Sequence, residues 1–171
     1  FPNDKQGLFE SAFWTRDHMD VGLDWNRLAR IRHRWPRRLL VKGLLAAEDV
    51  ERAKKTGADG VILSNHGGRQ LDWAAAPLDM LPTARATVGP SFPLLVDGGV
   101  RGGGDMVKAI ALGADAVLVG RATLYGVAAA GEAGVARAIE ILRDEADVTL
   151  ALLGSARMDE LDSRFLVEEP G

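Results

Sequence analysis

The chain has 171 residues, 47% of them hydrophobic and 26% charged, which is the composition of one globular domain and excludes a disordered or fibrous protein. Its net charge of −3 excludes the strongly basic surface that a nucleic-acid partner requires. The sequence has no cysteine, which excludes disulfides and cysteine-based metal sites, and we predict no metal centre.

The beginning of the chain differs in character from the rest. It starts with Phe1 rather than Met, so we expect either a processed product or a piece of a longer polypeptide. Residues 1–20 mix aromatic with charged side chains, and the sequence DWNRLARIRHRW predicts an amphipathic helix that ends before Pro36. We expect His18 and His33, which lie in this polar section, to have no catalytic role.

From residue 39 onward, a strand followed by a helix is predicted four times. The predicted strands are the apolar runs LLV (39–41), GVIL (60–63), PLLV (in 93–99) and DAVLVG (115–120). The predicted helices are AAEDVERAKKTG, PLDMLPTARATVG, DMVKAIALGA and the stretch 130–153. We expect Gly57 to end the first helix, and Pro82 either to lie in the first turn of the second helix or to kink it.

The predicted strands lack alternation of apolar and polar residues, which is typical of parallel strands buried on both faces. The roughly 20 to 35 residues between strand starts fit the units of a TIM (β/α)8 barrel, and the pattern alone also fits a doubly wound sheet. A barrel needs about 250 residues. We therefore predict an α/β fold that is half of a TIM barrel and does not close its own sheet edges.

Polar side chains follow each predicted strand at the point where it ends. In chain order they are Lys42; Ser64, His66 and Arg69; Asp97 to Arg101; and Gly120 with Arg121. Function in TIM barrels gathers in the loops at the carboxyl ends of the strands. We expect these residues to form one site.

The last two of these loops, DGGVRGGGD and GRATLYG, are rich in glycine, and each carries an arginine and leads towards a helix. Backbone N–H groups can approach an anion closely in such loops, and arginine binds a phosphate through two parallel hydrogen bonds. We predict a phosphate site there. The alternative is that the glycines only make tight turns and the arginines are solvated.

The loop after the second strand carries His66 and Arg69 with Gly67 and Gly68 between them, so both side chains can face one ligand. Arginine suits a carboxylate and histidine accepts a proton near neutral pH, which favours an anionic substrate that loses a proton. An ordinary turn histidine beside an exposed arginine is the alternative. For Lys42 three roles stay open: neutralising a cofactor, forming a Schiff base, or extending into solvent.

Four segments resemble the FMN-dependent 2-hydroxy acid dehydrogenase and oxidase family over about residues 20–165. They are LLVKG, GADGVILSNHGGRQLD, DGGVRGGGDMVKAIALGADAVLVGR and GEAG. Two further segments, LLVKGLLAAED and GRATLYG, resemble the (S)-mandelate dehydrogenase branch. The resemblance implies the second half of the barrel, strands 5–8, and FMN-dependent oxidation of an (S)-2-hydroxy acid, with mandelate-like substrates favoured over lactate or glycolate. A non-catalytic phosphate-binding half-barrel and another FMN or phosphate barrel, such as an isomerase, are the alternatives.

The resemblance also implies a role for each polar residue. Lys42 would sit beside N1 and the C2 carbonyl of the flavin, and Ser64 would contact the pyrimidine edge of the same ring. His66 would be the catalytic base and Arg69 would bind the substrate carboxylate. The residues that would hold the ribityl chain and the phosphate are Asp97, Gly98, Gly99, Val100, Arg101, Gly120 and Arg121.

Further expectations concern partners and location. We expect residues 1–20 to be the remnant of a mobile loop and residues 21–171 to be the C-terminal half of an FMN-binding barrel. A first-half segment, as a separate chain or a stretch absent from this sequence, would supply the missing site residues, and we expect a homo-oligomer. We expect a cytoplasmic protein, and the aromatic residues within 1–20 leave peripheral association with the inner membrane open.

Overall fold

Four parallel strands form one sheet in the part of the chain that this computed structural model describes, namely residues 13–14, 17–18, 20 and 22–167. The strands are β1 (Leu40–Leu44), β2 (Gly60–Ser64), β3 (Leu94–Asp97) and β4 (Ala116–Leu118). Each strand pairs with the next one along the chain, in the order β1–β2–β3–β4. The predicted parallel α/β fold is confirmed, and the uninterrupted strand order shows no reversal of the kind that marks a doubly wound sheet.

Five helices between residues 25 and 153 accompany the sheet. They are α1 (Trp25–Arg34), α2 (Ala47–Lys55), α3 (Pro77–Val88), α4 (Gly103–Ala111) and α5 (Arg121–Leu153). Short 3₁₀ turns cover His66–Gly68, Met158–Glu160 and Ser163–Phe165. None of the described helices combines the length and the apolarity that crossing a membrane requires.

The main core lies between the two central strands and helices α2 and α3. Val61 and Leu63 of β2 and Leu94 of β3 are fully buried, as the continuous apolar runs predict. Helix α2 turns Ala47, Val50 and Ala53 inward at helical spacing. The residues of β1 and β4 are exposed or half-buried because these strands form the two edges of the sheet. The prediction that the four units leave both edges open is therefore confirmed.

A glycine changes the predicted end of the first strand. β1 continues to Leu44, and its register against β2 shifts between Lys42 and Leu44, where Gly43 has a φ of +102°. The expectation that Lys42 ends a buried strand is therefore wrong, because Lys42 lies in the middle of an edge strand and its side chain is 38% exposed. In α3, Pro82 is the sixth residue rather than part of the first turn.

The last helix begins earlier than predicted. Helix α5 starts directly after Gly120, so most of GRATLYG is helical rather than loop, and the backbone leaves helical φ/ψ at Ala130 and Gly131. The helical segments before and after this break cross at very short range, because a Cβ placed on Gly126 would lie 2.4 Å from the carbonyl oxygen of Gly134. A short extra helix after the last strand is a common feature of phosphate sites in TIM barrels.

Candidate active site

An open cavity of about 720 Å³ lies at the carboxyl ends of the strands, within the size range of small-molecule sites. Its lining includes all but one of the predicted site residues: Lys42, His66, Arg69, Asp97, Gly98, Gly99, Val100, Arg101, Gly120 and Arg121. The exception is Ser64, which is 1% exposed and lies beside the cavity under Lys42 and Asp97. The structure thus brings the ends of all four strands to one place.

Lys42, Ser64 and Asp97 form a closed hydrogen-bonded group at the cavity wall. Nζ of Lys42 lies 2.5 Å from Oδ2 of Asp97 and donates to Oγ of Ser64 at 3.0 Å. The Ser64 hydroxyl donates to Asp97 Oδ2 at 2.8 Å. These contacts fix the ammonium group on the cavity side of β1, which favours an electrostatic role for Lys42 over extension into solvent.

The carboxyl group of Asp97 is ionised in this arrangement. Partial burial raises its pKa, but the hydrogen bonds from Lys42 and Ser64 outweigh that effect and hold the pKa below its ordinary value. The positive charge of Lys42, and that of His66 when it is protonated, act in the same direction. Asp97 is therefore the counter-ion of Lys42.

The turn that carries His66 is held by side chains of its own segment. The His66 N–H donates to Ser64 Oγ at 3.0 Å, and the Gly67 N–H donates to Oδ1 of Asn65 at 3.0 Å. His66 has a φ of 56°, a left-handed conformation that is uncommon outside glycine and is often found at functional sites. Sequence reasoning missed Asn65, although an asparagine directly before a glycine-containing turn is a recognised turn signal.

Arg69 follows this turn and lines the same cavity. Within the described residues its guanidinium makes no hydrogen bond or ion pair, and the residue is exposed. All five N–H donors are thus available to a ligand. An unpaired arginine three residues from a histidine can bind a carboxylate while the histidine faces the adjacent carbon.

The two helices that start at the cavity differ in their capacity to bind an anion. At α4, the N–H groups of Arg101 and Gly102 donate to Asp105 at 2.9 and 3.1 Å, and the Gly103 N–H donates to Glu145 at 2.7 Å. These carboxylates already occupy the positive end of that helix.

At α5, by contrast, the backbone N–H groups of Arg121 and Ala122 have no acceptor among the described residues. The side chain of Arg121 donates to the carbonyl oxygen of Gly67 across the cavity at 3.3 Å. The start of α5 is therefore the end of the cavity that can accept a phosphate.

Leu124 and Tyr125 of α5 also line the cavity. Sequence reasoning missed both, because it assigned GRATLYG to a loop.

Comparisons with known proteins agree with this geometry. The family described as FMN-dependent dehydrogenase matches residues 3–168. The chain is 52% identical over 160 residues to (S)-mandelate dehydrogenase of Pseudomonas putida, an alignment that covers 94% of the chain and 40% of the relative. It is 42% identical over 159 residues to L-lactate oxidase of a Nostoc species, covering 92% of the chain and 44% of the relative.

A solved crystal structure resembles this chain in both backbone fold and sequence. The crystal structure of the monotopic membrane protein (S)-mandelate dehydrogenase superposes with a TM-score of 0.88 at 48% identity, over 97% of this chain and 44% of that one. The chain thus spans less than half the length of the relatives it matches. Because the family match extends over nearly the whole chain, this protein belongs to the FMN-dependent dehydrogenase family.

Proposed function

We propose that this chain is the second half of the barrel of an enzyme that uses FMN to oxidise an (S)-2-hydroxy acid to the 2-oxo acid. The observation that carries the proposal is the shared cavity, which is lined by an unpaired Arg69, by His66 and by Arg121 at the start of α5. Arg69 and His66 would handle a carboxylate and a proton, and Arg121 with the start of α5 would bind a phosphate.

The residues present fit FMN. The positive end of α5 and the side chain of Arg121 would hold the phosphate, and the exposed Arg101 adds a second cation. Gly98 and Gly99 have φ values of +111° and +81° and present bare backbone to the cavity, so a long ligand can lie close to the β3 loop. Asp97 and Val100, in the same loop, would complete the contacts to the ribityl chain.

When bound, FMN supplies the two-electron acceptor for the hydrogen that leaves the α-carbon of the substrate. Arg69 would hold the substrate carboxylate in a bidentate pair, which orients the α-carbon towards the cofactor. His66 would accept a proton from the substrate. Lys42, fixed by Asp97 and Ser64, would place a positive charge where negative charge develops on the flavin ring.

An aromatic, mandelate-like substrate is our proposal for the substrate class. It is supported by the similarity to (S)-mandelate dehydrogenase, which is higher than that to L-lactate oxidase. A homo-oligomer, a cytoplasmic location and membrane association through residues 1–20 remain predictions, and most of residues 1–20 lie outside the described residues. The solved relative is described as a monotopic membrane protein.

We also propose that a first-half barrel segment completes this site. Strands β1 and β4 are unpaired at their outer edges in the described residues, and Leu40 of β1 is 44% exposed. Leu124 and Tyr125 are 59% and 70% exposed beside the cavity. Parallel strands added at both edges would cover these surfaces and close the barrel.

The test is performed on the complete enzyme loaded with FMN. Mixing it anaerobically with (S)-mandelate should bleach the flavin absorbance, and (R)-mandelate should leave it unchanged. His66→Asn should bind FMN normally and reduce the bleaching rate by about 10²–10⁴-fold, the usual effect of losing a general base. His33→Asn, an exposed histidine on α1, is the matched control and should bleach at the parent rate.

Two outcomes would contradict the proposal. A flavin that stays oxidised with mandelate, lactate and glycolate would favour a non-catalytic phosphate-binding role. Bleaching at equal rates in His66→Asn and His33→Asn would remove the catalytic role from His66.

A further inference from the structure

Gly43 occupies an unusual position in β1, directly after Lys42, which lines the cavity. It lies between Lys42 and Leu44 of β1, where the pairing register with β2 shifts, and its φ of +102° lies in the region that favours glycine. The shift in register is therefore located next to Lys42, whose ammonium group faces the cavity.

The space in front of Gly43 is occupied by the imidazole of His66. A Cβ placed on Gly43 would lie 2.7 Å from Cε1 of His66 and 3.4 Å from its Nε2. Carbon atoms in proteins pack at about 3.5–4.0 Å, so the ring and a side chain at position 43 cannot share this space. The absence of a side chain at residue 43 thus defines where the imidazole lies.

The backbone of the turn fixes the point from which the His66 side chain starts. The N–H of His66 is tied to buried Ser64, and its left-handed φ of 56° is already a restricted conformation. The imidazole makes no hydrogen bond within the described residues, so contact with Gly43 is a main constraint on its orientation.

We propose that Gly43 is a positioning residue for His66. This inference rests on the proposed function, in which His66 accepts the substrate proton. The bare backbone at Gly43 lets the imidazole edge dock against β1 beside Lys42. A side chain at this position displaces the ring into the cavity, away from the α-carbon of a substrate held by Arg69.

A left-handed φ is by itself a reason for glycine at position 43, without any role for the His66 ring. Gly113 serves as a control that separates the effect of φ from the effect of contact with the ring. Gly113 follows α4 and has a φ of +104°, nearly equal to that of Gly43. A Cβ placed there would lie 3.0 Å from Cγ of Arg85, and the nearest atoms around it all belong to Arg85, whereas those around a Cβ on Gly43 all belong to His66. Gly113→Ala therefore introduces the same backbone strain without touching His66.

The first experiment compares Gly43→Ala with Gly113→Ala in the complete FMN-loaded enzyme. Gly43→Ala should lower kcat by about tenfold to a hundredfold, as expected for a base displaced by about 1 Å, and should shift the acid limb of the pH–rate profile. Gly113→Ala should keep the parent kcat and pH profile. FMN affinity should stay within about twofold of the parent in both, since neither change affects the Arg121 end of the cavity.

The second experiment is a double-mutant cycle on thermal unfolding, which requires no turnover. Gly43→Ala should lower the unfolding midpoint more in the parent than in a His66→Gly background, because removal of the imidazole leaves only the backbone strain. If Gly43→Ala fails to fold, recovery of a folded protein in the Gly43→Ala/His66→Gly double variant supports the proposal. Failure of both the single and the double variant to fold would overturn the proposal.

Other outcomes are equally decisive. Equal losses of stability in the two backgrounds, or a kcat and pH profile in Gly43→Ala that match those of Gly113→Ala, would show that residue 43 is glycine for its φ alone. If the parent oxidises no 2-hydroxy acid, the proposed function fails, while the cycle still decides whether Gly43 fixes His66.

Discussion

Nζ of Lys42 lies 2.5 Å from Oδ2 of Asp97, so an ion pair joins strand β1 to strand β3 across the end of β2. Ser64, the last residue of β2, pairs in register with Asp97 and bonds to both partners. The electrostatics of the site thus depend on three adjacent strands holding a common register.

Asp97 should make stability depend on acid pH. Its pKa is lower in the folded protein than in the unfolded chain, so the unfolded chain binds more protons as the pH falls. The stabilisation is complete above the ordinary Asp value of about 4 and is lost as the pH falls through the lower folded value. We expect the unfolding midpoint of the parent to fall more steeply than that of Asp97→Asn between about pH 5 and pH 2. Asp144→Asn, at an exposed carboxylate on α5, should follow the parent curve, and parallel curves for all three would contradict the prediction.

Arg121→Ala should weaken FMN retention. The loss of one charge-assisted hydrogen bond costs about 1.5–3 kcal/mol, which corresponds to roughly a tenfold to 150-fold increase in Kd. The measurement is a fluorescence titration of the apoenzyme with FMN. Arg137→Ala is the matched control, because Arg137 lies on the same helix and, among the described residues, pairs only with exposed Glu140 at 3.2 Å. An Arg121→Ala variant with the parent Kd would show that the phosphate lies elsewhere.

Arg69→Lys should impair substrate binding without abolishing turnover. Lysine keeps the positive charge but lacks the planar pair of donors that binds a carboxylate in two places. We expect kcat/KM for the 2-hydroxy acid to fall about tenfold, mostly through KM, and Arg69→Gln to lose more. Steady-state kinetics of the two variants measure this difference. Parent values in Arg69→Lys would remove the assigned role.

Gly103 and Gly104 are neighbours in α4 and should respond in opposite ways to alanine. A Cβ on Gly103 would lie 2.2 Å from the backbone nitrogen of Ala146 in α5, so the two helices must separate, at a cost of about 1–3 kcal/mol. A Cβ on Gly104 meets nothing closer than 3.9 Å, and alanine there should be neutral or stabilising by about 0.5 kcal/mol. Urea unfolding of both variants measures the difference, and equal effects would mean that α4 and α5 do not pack this closely.

The position of the site could be predicted from the sequence because continuous apolar runs mark the parallel strands and the polar residues after them mark the strand ends. Asp97 directly follows an apolar run and His66 comes three residues after one, and the carboxyl ends of neighbouring parallel strands lie side by side. The roles of both residues stay proposals. Their convergence on one cavity, together with Lys42 and Arg121, is what the structure shows.

Features that depend on distant residues could not be predicted in this way. The extension of β1 through Gly43 depends on pairing with β2, and the ring that lies against Gly43 belongs to His66, 23 positions later in the chain. One of the two carboxylates at the start of α4 comes from Glu145, 42 residues from its partner Gly103. The early start of α5 was missed because Gly120 and Gly126 favour a loop, whereas in the structure Gly126 packs closely against the backbone of Gly134.

The strand order described above also bears on how the chain is made. In the described residues every strand pairs with the one synthesised just before it, and no strand inserts between two that are already paired. Pairing with the preceding strand closes a connection that contains one helix, so it loses less chain entropy than pairing with a strand further away in the sequence would. The sheet can therefore grow at a single edge while translation continues. The order in which the ribosome releases the strands is then also the order in which they find their neighbours.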